Sequence, residues 1–412
     1  MAPEPAERRR AERRRALAGL RADAEHWRLL TRPGASLPGH GSQVDAVLAM
    51  LAPAVARAEA AIEEGAGGTG ADGVLVLVQD LFHVWDFFRN KLTLRQTRAH
   101  RRWLEAADEL AWAVYRPALD AAAGRMPPRE PPLTGFGRAV APLAHRRGEQ
   151  YRELLPRGGV HTRAGRDLVA RLPFPVIDVP WWYQGHLPAV LTVAHEAGHH
   201  LEDDFGLTGE LAARIAGAGL PGDRAAHWAR WAGEVFADAC GALACGAAFA
   251  DVLEDRLAGL PDDGGEGPHP PPALRVAFCR LVAGGGPAPG PGAGEPAAVA
   301  AALLTEGYPQ FGGLRLDEVI GPAPGDADEG AARLLAGRSS GGATVGGVLA
   351  AAATAFRRDP AGHLRARVDE RVLTEVLALR PDTARSAGRA GSADAPERDA
   401  AAGRALLAAL GF

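Results

Sequence analysis

The sequence predicts a mainly α-helical chain with a small β-sheet, an α+β protein in which helices dominate. Three observations predict it. Apolar residues recur at helical spacing through most of the chain, as in Val44 to Glu64 and Thr97 to Ala123. Strand-like runs are few, and the clearest is Phe174 to Trp182. Turn-rich breaks separate the helical stretches, as at Gly34 to Gly41, Gly65 to Gly73 and Gly284 to Gly294.

The chain has 412 residues, room for two or three compact units. We divide it into an N-terminal helical region over 1–130, a core over 131–283 and a C-terminal helical region with flexible segments over 284–412. The formal net charge of −4 gives no global electrostatic case for a nucleic-acid partner. Cys240, Cys245 and Cys279 form no regular disulfide framework, which points to a reducing compartment. The N-terminus lacks the apolar core of a signal peptide. The longest uncharged apolar-leaning run, Gly341 to Phe356, falls short of a membrane span. A cytoplasmic protein without a membrane span is expected. Oligomeric state is not legible.

Taken in order, Glu7 to Leu30 is a helix crowded with arginine within the Arg-rich first thirty residues, most simply a solvated face. Val44 to Glu64 is a second amphipathic helix. Val74 to Val78 reads either as a strand or as the start of a helix, and Leu81 to Asn90 follows with Phe82, Trp85, Phe87 and Phe88. Thr97 to Ala123 is a long helix with Trp103, Leu110 and Val114 on its apolar side. Met126 to Leu133 is Pro-rich and reads as a linker, and Gln150 to Leu155 as a short helix. Pro175 and Pro180 are expected to confine the extended Phe174 to Trp182 segment to a sheet edge or an irregular strand, and an exposed edge beside a cleft could pair with an extended peptide. Pro188 to Asp204 is expected to be one helix with Pro188 in its first turn. Arg224 to Leu257 reads as a single strong helix and Ala273 to Val282 as another. Helical patches follow at Ala331–Leu335, Val345–Phe356 and Arg365–Leu379. The polar stretch Arg380 to Asp399, before a short terminal helix, is expected to be disordered.

The chemistry concentrates in His195-Glu196-Ala197-Gly198-His199. Val190, Ala194, Ala197 and Leu201 form one apolar stripe, and on a helical wheel His195 and His199 point away from it. Residues i and i+4 stack one turn apart, so both imidazoles can bind one zinc. Glu196 projects beside the metal, where it can take a proton from a coordinated water.

A catalytic zinc usually has three protein ligands and one open position. A third histidine six residues beyond His199 is excluded, because that position is Phe205. Glu234 and Asp238, one turn apart in Glu234-Val-Phe-Ala-Asp238, are better placed. Glu234 can supply the third ligand. Asp238 can accept a hydrogen bond from the far nitrogen of a ligating histidine and fix its tautomer. Gly241, Ala237, Ala239 and Ala242 are small enough to let two helices approach closely. His200, His227 and Cys245 fall off the ligand positions.

His195-Glu196-Ala-Gly-His199 followed by Glu234-Val-Phe-Ala-Asp238 resembles the gluzincin group of zinc metallopeptidases. His269-Pro-Pro-Pro-Ala-Leu-Arg275-Val276 resembles the His-Pro-x4-Arg-Ile/Val element of the CAAX-prenyl endopeptidase and heat-shock membrane protease family, without that family's membrane helices. The resemblance covers residues 174 to 282. It implies a zincin-like metallopeptidase core with flanking helices and hydrolysis of a peptide or protein substrate. It also implies zinc held by His195, His199 and Glu234, with Glu196 as base and Asp238 in support. His269 and Arg275 would lie near the cleft. Separately from the resemblance, the oxyanion of the tetrahedral intermediate calls for a donor at the cleft, for which His269 is the candidate, with Tyr308 and His363 as rivals. Two other readings fit the same residues. One is a zinc hydrolase acting on a non-peptide amide, and the other is a catalytically inactive metallopeptidase-like binding module.

Overall fold

The computed structural model describes residues 4–64, 69–125, 130–137, 140–145, 174–259, 267–284, 294–321 and 325–379, together with 397, 400, 401, 403 and 404. The helix expected at Gln150 to Leu155, the 284–294 linker beyond residue 284 and nearly all of the 380–399 stretch lie outside the described residues. The described chain is mainly α with one three-stranded sheet, as the periodicity predicts.

Four long helices open the chain: α1 (Pro5–Leu30), α2 (Gly41–Glu63), α3 (Thr69–Thr93) and α4 (Arg98–Ala121). α1 packs through Leu17, Leu20, Ala24 and Trp27, a buried stripe at helical spacing. Its arginines Arg14, Arg21 and Arg28 meet Glu63, Glu59 and Asp45 of α2 as exposed ion pairs. Such pairs contribute at most about 1 kcal/mol each, so the apolar stripe dominates this packing. Val74 to Val78 proves to be part of α3, continuous with the aromatic run after it. α4 buries Leu104, Ala107, Leu110, Ala111, Val114 and Tyr115 completely and belongs to the larger core, which also surrounds the site.

The sheet has the order β1-β3-β2. β1 (Leu133–Gly137) runs parallel to β3 (Val176–Pro180), with Leu133 opposite Val176. β2 (Leu143–His145) is antiparallel to β3, with Leu143 opposite Asp178. The expectation that residues 174–182 form a sheet edge is therefore overturned. β3 is the central strand, and every residue of it is buried. The prolines permit this because they sit at its ends: Pro175 precedes the strand and Pro180 is its last residue. Among the described strands β1 and β2 are the outer ones, and β2 contacts the helix carrying the two histidines.

Buried polar contacts fix the sheet to the helices. Arg95, in the 3-10 turn after α3, donates to the Lys91 carbonyl at 2.8 Å, to Asp108 of α4 at 2.7 Å and to the Thr134 carbonyl of β1 at 2.9 Å. Lys91, the only lysine, pairs with Asp178 on β3. Removing one partner of such a buried pair leaves an uncompensated charge and costs about 3–5 kcal/mol.

The histidine helix α5 spans Thr192–Phe205, four residues shorter at its start than expected. Pro188 instead lies in a 3-10 turn over Leu187–Leu191. α6 (Thr208–Ala216) follows. The single helix expected over 224–257 is divided into α7 (Gly222–Arg230), α8 (Ala232–Cys245) and α9 (Ala247–Leu257). Gly246 separates the last two with φ 65° and ψ −155°, a conformation open to glycine and closed to bulkier residues. α10 (Pro272–Val282) matches its expected span closely. Beyond it lie α11 (Gly294–Leu304), α12 (Leu316–Ile320), α13 (Ala327–Leu335), α14 (Val345–Arg358), α15 (Pro360–Arg365) and α16 (Val368–Ala378). α6, α11 and α12 have no counterpart in the sequence reading, and α15 precedes the expected 365–379 patch, meeting it only at Arg365. No described helix is long and apolar enough to cross a membrane. All three cysteines are buried free thiols.

Candidate metal centre

α5 and α8 cross closely, and Gly198 is the reason. A Cβ at Gly198 would lie 2.7 Å from Ala237 Cα and 3.0 Å from Cys240 Cβ. The glycine inside the His195–His199 motif therefore sets the spacing between the two ligand-bearing helices. The small residues expected to do this on α8 divide differently. Ala237 does face α5, but Gly241 faces α9, where it admits the ring of Phe249. That ring in turn stacks on His195 at 6.5 Å between centroids.

The crossing brings His195, His199 and Glu234 together, with one donor atom from each lying within 4.8 Å of the others. His195 Nε2 and His199 Nε2 are 3.1 Å apart. Glu234 reaches both, with Oε2 3.4 Å from His195 Nε2 and Oε1 3.5 Å from His199 Nε2. Two ligands about 2.05 Å from one ion, at a tetrahedral angle, are separated by about 3.3 Å. The separation of the two Nε2 atoms, and that of each Nε2 from its nearer Glu234 oxygen, lie close to that value.

The far ring nitrogens support the same orientation. His195 Nδ1 lies 2.8 Å from Asp238 Oδ1. His199 Nδ1 faces Glu202 Oε2 at 3.9 Å. A proton held on Nδ1 by a carboxylate leaves Nε2 as the electron-pair donor. Both Nε2 atoms then converge with a carboxylate on one point, the donor set a cation requires. Asp238 is itself secured by Arg275, which donates from Nε at 2.6 Å and from an Nη at 3.0 Å. Arg275 also lies 3.5 Å from Glu234 Oε2.

The electrostatics favour positive charge at this point. Burial disfavours a charged His195, yet Asp238 and Glu234 outweigh it and raise its pKa above the ordinary value. Burial is likewise outweighed at His199, where Glu202 and Glu234 raise the pKa to about 10. Burial opposes ionisation of Glu234, but His195, His199 and His269 hold its carboxyl well below the usual carboxylate range. Asp238 is also held low against burial, chiefly by Arg275 and then by His195.

Glu196 is buried, and its Oε2 accepts the backbone N–H of Ala144 on β2 at 2.7 Å. The carboxylate between the two histidines is thus fixed against β2. His269 is half-exposed, with Nε2 3.2 Å from Glu234 Oε2. The two rival donors lie elsewhere. Tyr308 donates its hydroxyl to the Leu303 carbonyl at 2.9 Å and packs near Phe236, two positions beyond Glu234 and on the opposite face of α8. His363 packs on Phe356 of α14, with Nε2 3.5 Å from Asp369. His200 contacts the Val176 carbonyl at 3.2 Å and joins α5 to β3, and His227 is bound to the Asp223 carbonyl at the surface.

Sequence reasoning missed Glu202 and Phe249. Glu202 is three positions beyond His199, a spacing that places both on one helix face. Phe249 left no comparable signal, because its approach to His195 depends on the gap at Gly241. Comparisons with family models, with curated proteins and with solved structures find no match to this chain.

Proposed function

We propose that this protein is a zinc-dependent peptidase. The observation that carries the proposal is the convergence of His195, His199 and Glu234, one donor atom of each within 4.8 Å of the others, with Glu196 on the same helix as the two histidines. Two imidazoles and a carboxylate with a position left for solvent form a catalytic zinc set, whereas structural zinc sites are closed by four cysteine or histidine ligands. Bound there, zinc would lower the pKa of a water toward about 7 and polarise a substrate carbonyl.

The chain's own residues supply the rest. Glu196 accepts a proton from the attacking water and delivers it to the leaving amine. Its hydrogen bond from Ala144 N–H holds the carboxylate in place for both transfers. Asp238 keeps His195 in the ligating tautomer, and Arg275 keeps Asp238 charged. His269, half-exposed beside Glu234, is placed to donate to the substrate oxygen on which negative charge develops. Hydrolysis of a peptide, and not of another amide, is favoured by β2. Among the described strands it ends the sheet beside Glu196, where an extended peptide could lie along it. The order of the motifs along the sequence, resembling the gluzincins, supports the same reading.

Digestion of a broad peptide library by the zinc-loaded protein tests this. Cleavage by wild type, abolished in Glu196→Gln, is expected. Zinc binding without cleavage of any peptide would contradict it and favour the binding-module reading. Turnover of small non-peptide amides alone would favour the other hydrolase class.

A further inference from the structure

We propose that Glu202 is the positioning residue for His199, and that Gly233 is the notch that admits it. The inference rests on the zinc reading of the same site. The two ligating imidazoles are supported differently. Asp238 approaches His195 Nδ1 to 2.8 Å, whereas the buried His199 Nδ1 has no carboxylate so close. The carboxylate it faces is Glu202, at 3.9 Å.

Glu202 is not a solvated residue near a helix end. It is 2% exposed, and a carboxylate so buried needs compensation from its surroundings. Thr208 provides part of it, donating its hydroxyl to Glu202 Oε1 at 2.8 Å. The other oxygen is turned toward His199.

Space for this carboxylate comes from the other helix. A Cβ at Gly233 would lie 3.1 Å from the Glu202 carboxyl carbon and closer still to Oε2. Any side chain at 233 would therefore displace the carboxylate from its place beside His199. Gly233 immediately precedes the ligand Glu234. One turn of α8 thus supplies the third ligand and also makes room for the support of the second.

The 3.9 Å separation exceeds a hydrogen bond, so Glu202 orients His199 electrostatically and less firmly than Asp238 orients His195. Loss of a group behind a metal ligand weakens metal affinity by about 10–100-fold. Glu202→Ala should fall near the lower end, about tenfold, and Asp238→Ala should exceed it.

The test measures zinc affinity of the full chain by competition with a chelator, alongside the melting temperature of the metal-free protein. Glu202→Ala and Gly233→Ala should each weaken zinc by roughly tenfold. The double variant should be no weaker than the worse single, because both changes remove one interaction. Glu202→Gln, which keeps the size and one acceptor oxygen but not the charge, should recover only part of the affinity. A purely structural role would lower the melting temperature of the metal-free protein and leave the zinc affinity of the folded fraction unchanged. Wild-type affinity in Glu202→Ala, or losses that multiply in the double variant, would overturn the proposal. Failure of the wild type to bind zinc would instead refute the metal reading, so the two failures are distinct.

Discussion

Gly198→Ala is a one-methyl change that tests whether helix spacing sets the metal site. The new Cβ would lie 2.7 Å from Ala237 Cα and 3.0 Å from Cys240 Cβ. Carbon atoms settle at about 3.5–4.0 Å, so α5 and α8 must part by about 1 Å at this point. The neighbours are the ligands themselves. His199 follows Gly198, and Ala237 lies between Glu234 and Asp238. Metal–ligand distances tolerate only about ±0.2 Å, several-fold less than the required displacement. Overpacking of this kind costs about 1–3 kcal/mol. If separation of the helices relieves that strain only when the metal leaves, zinc binding weakens by roughly 5- to 150-fold. Chelator competition measures the loss directly. Gly209→Ala is the control, since a Cβ there meets nothing within 4 Å, and it should leave zinc affinity unchanged. Wild-type zinc affinity and melting temperature in Gly198→Ala would refute the argument that this glycine sets the ligand separation.

Four further outcomes are expected. Glu196→Gln should keep its zinc and its fold while losing about 10²–10⁴-fold in turnover, measured on a cleaved peptide. Asp238→Ala should weaken zinc by about 10–100-fold without abolishing binding, and unchanged affinity in a chelator titration would reduce Asp238 to a partner of Arg275 alone. His269→Ala should lower kcat while leaving zinc content and KM near wild type, whereas Tyr308→Phe should leave kcat unchanged because that hydroxyl is bound to the Leu303 carbonyl. Zinc at about 1,000 times its Kd should stabilise the fold by roughly 4 kcal/mol, so a chelator should lower the melting temperature and added zinc should restore it.

The parts legible in the sequence were those encoded within one element. The His195–His199 and Glu234–Asp238 pairs each declare themselves by i,i+4 spacing, because one helix fixes both members. The structure then brings these two pairs together. Glu202 was hard to read because an acidic residue near a helix end looks solvated. Its burial depends on Gly233, which belongs to another helix. The prolines of 174–182 argued for an edge strand, yet a proline at a strand's boundary removes no interior ladder bond, and β3 is central. The break of the 224–257 helix at Gly246 was hidden by continuous apolar periodicity on both sides. The third ligand's approach to the first two also depends on Gly198, whose smallness acquires meaning only against Ala237.

The central claim is that one zinc ion is held by His195, His199 and Glu234. Elemental analysis of the purified protein and of His195→Ala, His199→Ala and Glu234→Ala tests it most directly. The account predicts about one zinc per wild-type chain and loss of most of it in each variant. Full zinc retention in all three variants, or a wild-type chain that takes up no zinc from solution, would contradict it.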